Sequence, residues 1–155
     1  MAQSGYVGKA GQLAAMAEFL LRGYNVAMPE VDVGDDIFVV EDQEGQFWRI
    51  QVKAAIGKRR RYGYSGKFAV SLQQLYTPKK PDLFYVFALR AGDRWEFVVI
   101  PRETLKGLHN VAGIGNVVAG HLILNCRLTA TRALCSGIDL QAHRNNWDEW
   151  PVIQP

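Results

Sequence analysis

Three side chains stand at a spacing that could do phosphodiester chemistry: Asp36, and then Gln51 and Lys53 two positions apart. Hydrolysis of a phosphodiester needs an attacking water, charge relief at the phosphate and a path for the leaving oxygen. A divalent cation can serve all three needs. Magnesium takes hard oxygen ligands, usually one or two carboxylates completed by water. Asp36 offers a carboxylate, Gln51 an amide oxygen and Val52 a main-chain carbonyl. Lys53 offers a cation that can stabilise the developing charge or help deprotonate water. The same residues also fit a salt-bridged sheet edge in which Lys53 neutralises Asp36, because an acid, a turn and polar-x-Lys recur in ordinary hairpins.

These residues need a hairpin to meet. Asp36 to Glu41 reads as a strand around the apolar run Ile37 to Val40. Asp42-Gln43-Glu44-Gly45 reads as a turn, and Gln46 to Ala54 as the returning strand. Alternation puts Phe47, Arg49, Gln51 and Lys53 on one face and Trp48, Ile50 and Val52 on the other. A turn centred between Glu41 and Gln46 sets Asp36 opposite Gln51, or close to it, at the hairpin's open end.

Ahead of it, residues 8 to 22 read as a helix with Leu13, Met16, Ala17, Leu20 and Leu21 as its apolar face, stopped by Gly23. Tyr24 to Met28 reads as a short strand. Behind it, Ile56 to Gly66 reads as a loop or flap, Lys67 to Ser71 as a strand and Gln73 to Tyr76 as a helical turn. Leu83 to Leu89 and Trp95 to Ile100 read as a strand pair. Pro101 is expected at the first position of a helix ending at Leu108. Val111 to Gly120 reads as a Gly-rich loop, His121 to Cys126 as an edge strand, and Asp139 to Trp150 as a closing helix or turn. Trp147 and Trp150 are expected against the core or at a subunit contact. A helix beside a mixed sheet makes an α/β (α+β) architecture.

The segments Gly8 to Ala15, Gly23 to Pro29, Val33 to Ile37 and Arg49 to Lys53 resemble the PD-(D/E)XK nuclease superfamily. More narrowly they resemble its resolvase-like branch, which includes group I intron homing endonucleases. The resemblance implies a restriction-endonuclease-like core over about residues 5 to 108, with 109 to 155 as a C-terminal extension of a single domain. It implies metal binding by Asp36, a catalytic role for Lys53, and Gln51 in place of the usual Asp or Glu. It places Gln12 where many relatives carry a metal-organising Glu. Gln12 and Gln51 are neutral, so Asp36 is the only carboxylate of the set, with Asp35 or Glu30 as candidates for a second. The implied activity is a Mg2+- or Mn2+-dependent DNA endonuclease working as a homodimer or higher oligomer. The alternative is a catalytically degenerate DNA-binding or interaction module on the same fold.

Charge distribution supports a polyanionic partner better than the net value of +3 does. Lys58, Arg59, Arg60 and Arg61 run into Tyr62 and Tyr64 directly after the hairpin, and are expected to contact DNA beside the reacting site. Lys79 and Lys80, between prolines, read as surface residues. Gln73 and Gln74 are candidates to lie near the site. His109, His121 and His143 share no ligand spacing, and Ser71 has no readable His partner. Cys126 and Cys135 form no C-x-x-C motif and read as reduced, structural cysteines of a cytoplasmic protein. No apolar run reaches the roughly 18 residues of a membrane span, and the N-terminus lacks the pattern of a signal peptide.

Overall fold

The computed structural model describes residues 2–31 and 33–147. The chain runs α1 (Ala2–Leu21), β1 (Asn25–Ala27), β2 (Ile37–Val40), β3 (Phe47–Ile56), β4 (Lys58–Arg60), β5 (Gly63–Ser71) and α2 (Leu72–Leu75). It continues with β6 (Leu83–Ala91), β7 (Arg94–Pro101), α3 (Arg102–Ala112), β8 (Asn116–Val118), β9 (His121–Thr129), β10 (Ala133–Cys135), β11 (Ile138–Asp139) and a 3-10 helix (Gln141–His143).

A mixed five-stranded sheet in the order β1-β2-β3-β6-β7 forms the centre. Its one parallel pair is β3 with β6, which places Gln51 beside Tyr85 and Lys53 beside Phe87. Helices flank this sheet, and a second, antiparallel sheet in the order β11-β10-β9-β5-β4 packs over its other face, with β8 also paired to β9. Strand alternation divides the core. Tyr85, Phe87 and Leu89 of β6 pack with Phe68, Val70, Leu122 and Leu124 of the second sheet. Val86 and Ala88 pack with Ala15 and Phe19 of α1.

α1 turns a different face inward from the one its leucines suggest. Gly11, Ala15 and Phe19 are buried, whereas Leu13, Leu20 and Leu21 are exposed. The helix is apolar nearly all round, so periodicity alone does not choose a face. Close approach does: a Cβ on Gly11 would collide with the Ala54 Cβ. Gly8, on the same helix, has open space around it. Alanine is the better helix former by about 1 kcal/mol, so Gly8→Ala should stabilise the fold by up to that amount. At Gly11 the clash outweighs propensity, since forcing extra volume into a packed interface costs about 1–3 kcal/mol. Urea titrations should therefore give opposite signs for Gly8→Ala and Gly11→Ala. Equal shifts would mean that α1 does not seat on Ala54.

Several expectations change. The segment from Ile56 to Gly66 is not a flap: it is the end of β3, the strand β4 and the start of β5, a tight hairpin with Arg59 opposite Tyr64. Its glycines permit a close crossing, for a Cβ on Gly66 would meet the Leu89 side chain. Pro101 caps α3 rather than opening it, and α3 runs on to Ala112 before Gly113 ends it at φ 65°. The stretch after Gly115 contributes β8. β9 is an interior strand, bonded to β5 along one edge and to β8 and β10 along the other. Cys126 and Cys135 face each other across β9 and β10 and form a disulfide, so the reduced state expected for them is overturned.

After β11 the chain makes its 3-10 helix, and Trp147 packs edge-on against Phe19 and Phe97 at ring distances of 5.1 and 5.3 Å. Trp150 lies outside the described residues. Burial pushes the Glu96 carboxyl up, but hydrogen bonds from Arg94, Asn145 and Arg144 outweigh it and hold the group below its ordinary range. That cluster ties the segment after residue 143 to β7. No helix among the described residues is long and apolar enough to cross a membrane.

Candidate active site

The register of the central hairpin decides which side chains meet. Ile37 pairs with Ile50 and Val40 with Phe47, so the next position outward sets Asp36 against Gln51. The Asp36 N–H donates to the Ile50 carbonyl at 2.8 Å. Its carboxylate Oδ2 accepts two hydrogen bonds of 2.7 Å, from Gln51 Nε2 and from the Val52 N–H. The N–H and C=O of one strand residue point to the same edge, so the Val52 carbonyl also faces the Asp36 side.

Asp36, Gln51 and Lys53 line one open cavity of about 500 Å3, shared with Ser71, Gln74 and Lys79. The Lys53 ammonium makes no hydrogen bond or ion pair among the described residues. Gln74, on α2, donates from Nε2 to Gln51 Oε1 at 3.2 Å and to the Gly34 carbonyl at 2.8 Å. It fixes the Gln51 amide with nitrogen toward Asp36 and oxygen toward α2. Ser71 acts at the helix start, where its hydroxyl accepts from the Gln74 N–H.

Gln12 reaches Asp36 from behind. Its Nε2 donates to the Asp36 main-chain carbonyl at 2.8 Å. It lines a second, smaller cavity with Lys9, Met28, Pro29, Asp35 and Asp36, so Asp36 borders both cavities. There an amide can do what a carboxylate could not, because Glu would set two oxygens against each other. Asp35 points away into a buried ion cluster, taking Arg49 at 2.9 Å and Lys79 at 3.0 Å. Asp35 is therefore committed and does not supply a second carboxylate beside Asp36. Lys79 is not the free surface residue expected of it, since its ammonium also donates to the Val33 carbonyl. No local signal marks the Asp35–Lys79 contact, because the partners are 44 residues apart.

The basic segment is not beside this cavity. Lys58, Arg59, Arg60, Arg61, Tyr62 and Tyr64 sit on the β4–β5 hairpin, at the opposite end of β5 from Ser71. Eight residues of strand separate Gly63 from Ser71, roughly 26 Å at about 3.3 Å per residue. Arg59, Arg60, Arg61, Tyr62 and Tyr64 line a second concavity with Arg94 and Arg144.

The donor set fits magnesium in kind. Asp36 and Gln51 bring hard oxygens and one formal negative charge to an open, polar cavity, and the Val52 carbonyl lies at its margin on the Asp36 side of β3. No group of three or more His, Cys, Asp or Glu that could hold a metal occurs among the described residues. The histidines are placed elsewhere: His109 and His121 bond to main-chain oxygens, and burial pushes His143 below its ordinary range.

No family model matches the chain, and no curated protein matches it. Among solved structures it is similar to that of a bacterial homing endonuclease, with 18% sequence identity and a TM-score of 0.46. The match covers 67% of this chain and 72% of that one.

Proposed function

We propose that the protein is a metal-dependent endonuclease that hydrolyses DNA phosphodiester bonds, with Asp36, Gln51, Val52 and Lys53 at its reacting site. The observation that carries this reading is the convergence of Asp36, Gln51 and Lys53 on one solvent-open cavity with the Lys53 ammonium uncommitted. The resemblance of Val33 to Ile37 and Arg49 to Lys53 to the PD-(D/E)XK motif supports the same roles.

Asp36 and the Val52 carbonyl would hold the ion, with Gln51 joining them once its amide turns its oxygen from Gln74 toward Asp36. Bound there, Mg2+ or Mn2+ would supply charge relief at the phosphate and acidify a water. Lys53 sets its ammonium beside the scissile phosphate, where it offsets the charge gained in the transition state. Gln12 and Gln74 are positioning residues: one fixes the Asp36 main chain, the other the Gln51 amide. The Lys58–Tyr64 hairpin contacts the DNA backbone away from the cut. A two-fold dimer would bring one such site to each strand of a duplex.

A DNA-binding module without catalysis is the second reading. It is favoured by the way Gln51 and Val52 already satisfy Asp36 through N–H donors. A plasmid-nicking assay in Mg2+, Mn2+ and EDTA separates the two. The native chain should nick only with metal, and Asp36→Ala and Lys53→Ala should each lose at least about 100-fold, the scale of a lost charge-stabilising group. Metal-independent nicking, or nicking by both variants at the native rate, would sink the nuclease reading.

A further inference from the structure

We infer that the outward face of the second sheet is a phosphate-binding track that carries duplex DNA from the Lys53 cavity toward the β4–β5 hairpin. The inference rests on the nuclease reading for its direction and on independent residues for its substance. Along β5, Phe68 and Val70 are buried, so alternation turns Ser65, Lys67, Ala69 and Ser71 outward. On β9, Leu124, Cys126 and Leu128 are buried, and Asn125 and Arg127 are exposed.

Register then collects the cations. Ser65 stands opposite Arg127 on one side and Lys58 on the other, while Lys67 stands opposite Asn125. Arg60 is held along this face by a 2.7 Å hydrogen bond from Nε to Ser65 Oγ. Lys58, Arg60, Lys67, Arg127 and Asn125 line one concavity of about 400 Å3. None of the four cations makes an ion pair among the described residues. The first acid across the sheet is Asp139 on β11, which is engaged by the Gln141 N–H.

Four like charges gathered without a counter-ion repel one another, and a polyanion relieves that repulsion. The same strand face ends at Ser71, which lines the cavity of Asp36 and Lys53. From Ser71 to Ser65 is six residues of strand, about 20 Å. At about 3.4 Å per base pair that length matches roughly six pairs of duplex. Lys67 and Arg127 lie on this path and belong neither to the reacting site nor to the hairpin's basic block.

The test is fluorescence anisotropy with a labelled 20-base-pair duplex in EDTA, over a range of salt. The proteins are the native chain, Lys67→Ala/Arg127→Ala, and the equal-charge control Arg22→Ala/Lys106→Ala on other faces, each checked by a thermal melt. The track variant should bind about tenfold or more weakly, and its log K against log salt slope should shrink by about two. The control should stay within about twofold of the native chain. Track and control variants that bind alike would overturn the inference, even if the native chain cuts DNA. Weakened binding by the track variant alone would support it, even if no cutting is seen with metal, in which case only the nuclease reading falls.

Discussion

Gln51→Glu is expected to make the fold metal-dependent. Gln51 Nε2 now donates to Asp36 Oδ2 at 2.7 Å, and the substitution replaces that donor with a second carboxylate oxygen. Two like charges near 4 Å in a partly solvated site repel by about 4 kcal/mol at most, and relaxation of the side chain should leave about 2–3. In EDTA at pH 8 the melting temperature should fall by about 8 °C, taking about 2–4 °C per kcal/mol for a chain of this size. Millimolar Mg2+ should restore it, because two carboxylates around one cavity are what magnesium prefers. The repulsion raises the introduced carboxyl's folded pKa above its unfolded value. Its penalty is therefore absent below the unfolded pKa, grows as pH rises toward the folded pKa, and is complete above it. The variant should match the native chain near pH 4 and diverge from it with rising pH. Nicking in Mg2+ should rise as well, but the melt alone decides whether Asp36 and Gln51 form a cation site. A loss of stability that Mg2+ does not recover would remove the metal from this cavity.

That contact was legible in the sequence because a hairpin is local. One turn fixes the register, and a period of two fixes the faces, so Asp36 opposite Gln51 follows from counting. The structure adds what counting cannot reach. Gln74 arrives from α2, and its 23-residue separation from Gln51 leaves no pattern to read. The buried face of α1 was misread because Leu, Ala and Gly surround the helix. The choice of Gly11 over Leu13 was made by the closeness of Ala54, a tertiary fact. The second sheet was hidden for another reason. Its strands β4 and β5 contain Arg, Lys, Gly and Ser where strand signals expect β-branched and aromatic residues. β5 has only two fully buried side chains, Phe68 and Val70, so its alternation shows only after Gly66. The basic run looked like a loop beside the site because it follows β3 directly. Pairing carries it away, since β5 folds back along β9 and leaves the hairpin at the far end.

Arg102→Ala should produce a large loss of stability. The Arg102 side chain is fully buried. Its Nε and one terminal nitrogen grip both Asp82 oxygens at 2.8 Å, and the other nitrogen donates to the Leu75 carbonyl at 2.6 Å. A further bond reaches Glu103. One guanidinium thus joins the start of α3, the end of α2 and the entry to β6. Removing the buried guanidinium leaves the Leu75 carbonyl without its donor, while Asp82, about a third exposed, regains water, so the loss should be about 2–3 kcal/mol, or about 4–12 °C in melting temperature. Arg102→Lys should recover little, because a point charge cannot replace the bidentate fork and the third donor together. The acid limb supplies a second readout. Burial pushes the Asp82 carboxyl up, but hydrogen bonds from Arg102 and from the Leu83 and Lys79 N–H groups outweigh it, leaving the carboxyl below its ordinary range. A depressed folded pKa contributes stability above the unfolded pKa and loses it as pH falls through the folded one. Without Arg102 that contribution shrinks, so the variant's stability should fall less steeply below about pH 4, where an ordinary Asp titrates. The loss also reaches the cavity. α2 carries Gln74, and Gln74 sets the Gln51 amide, so loosening Leu75 should unsettle that amide before it unfolds the chain. If Arg102→Ala instead melts within about 2 °C of the native protein, the guanidinium is not what holds α2 in place, and α3 does not reach Gln51 through it.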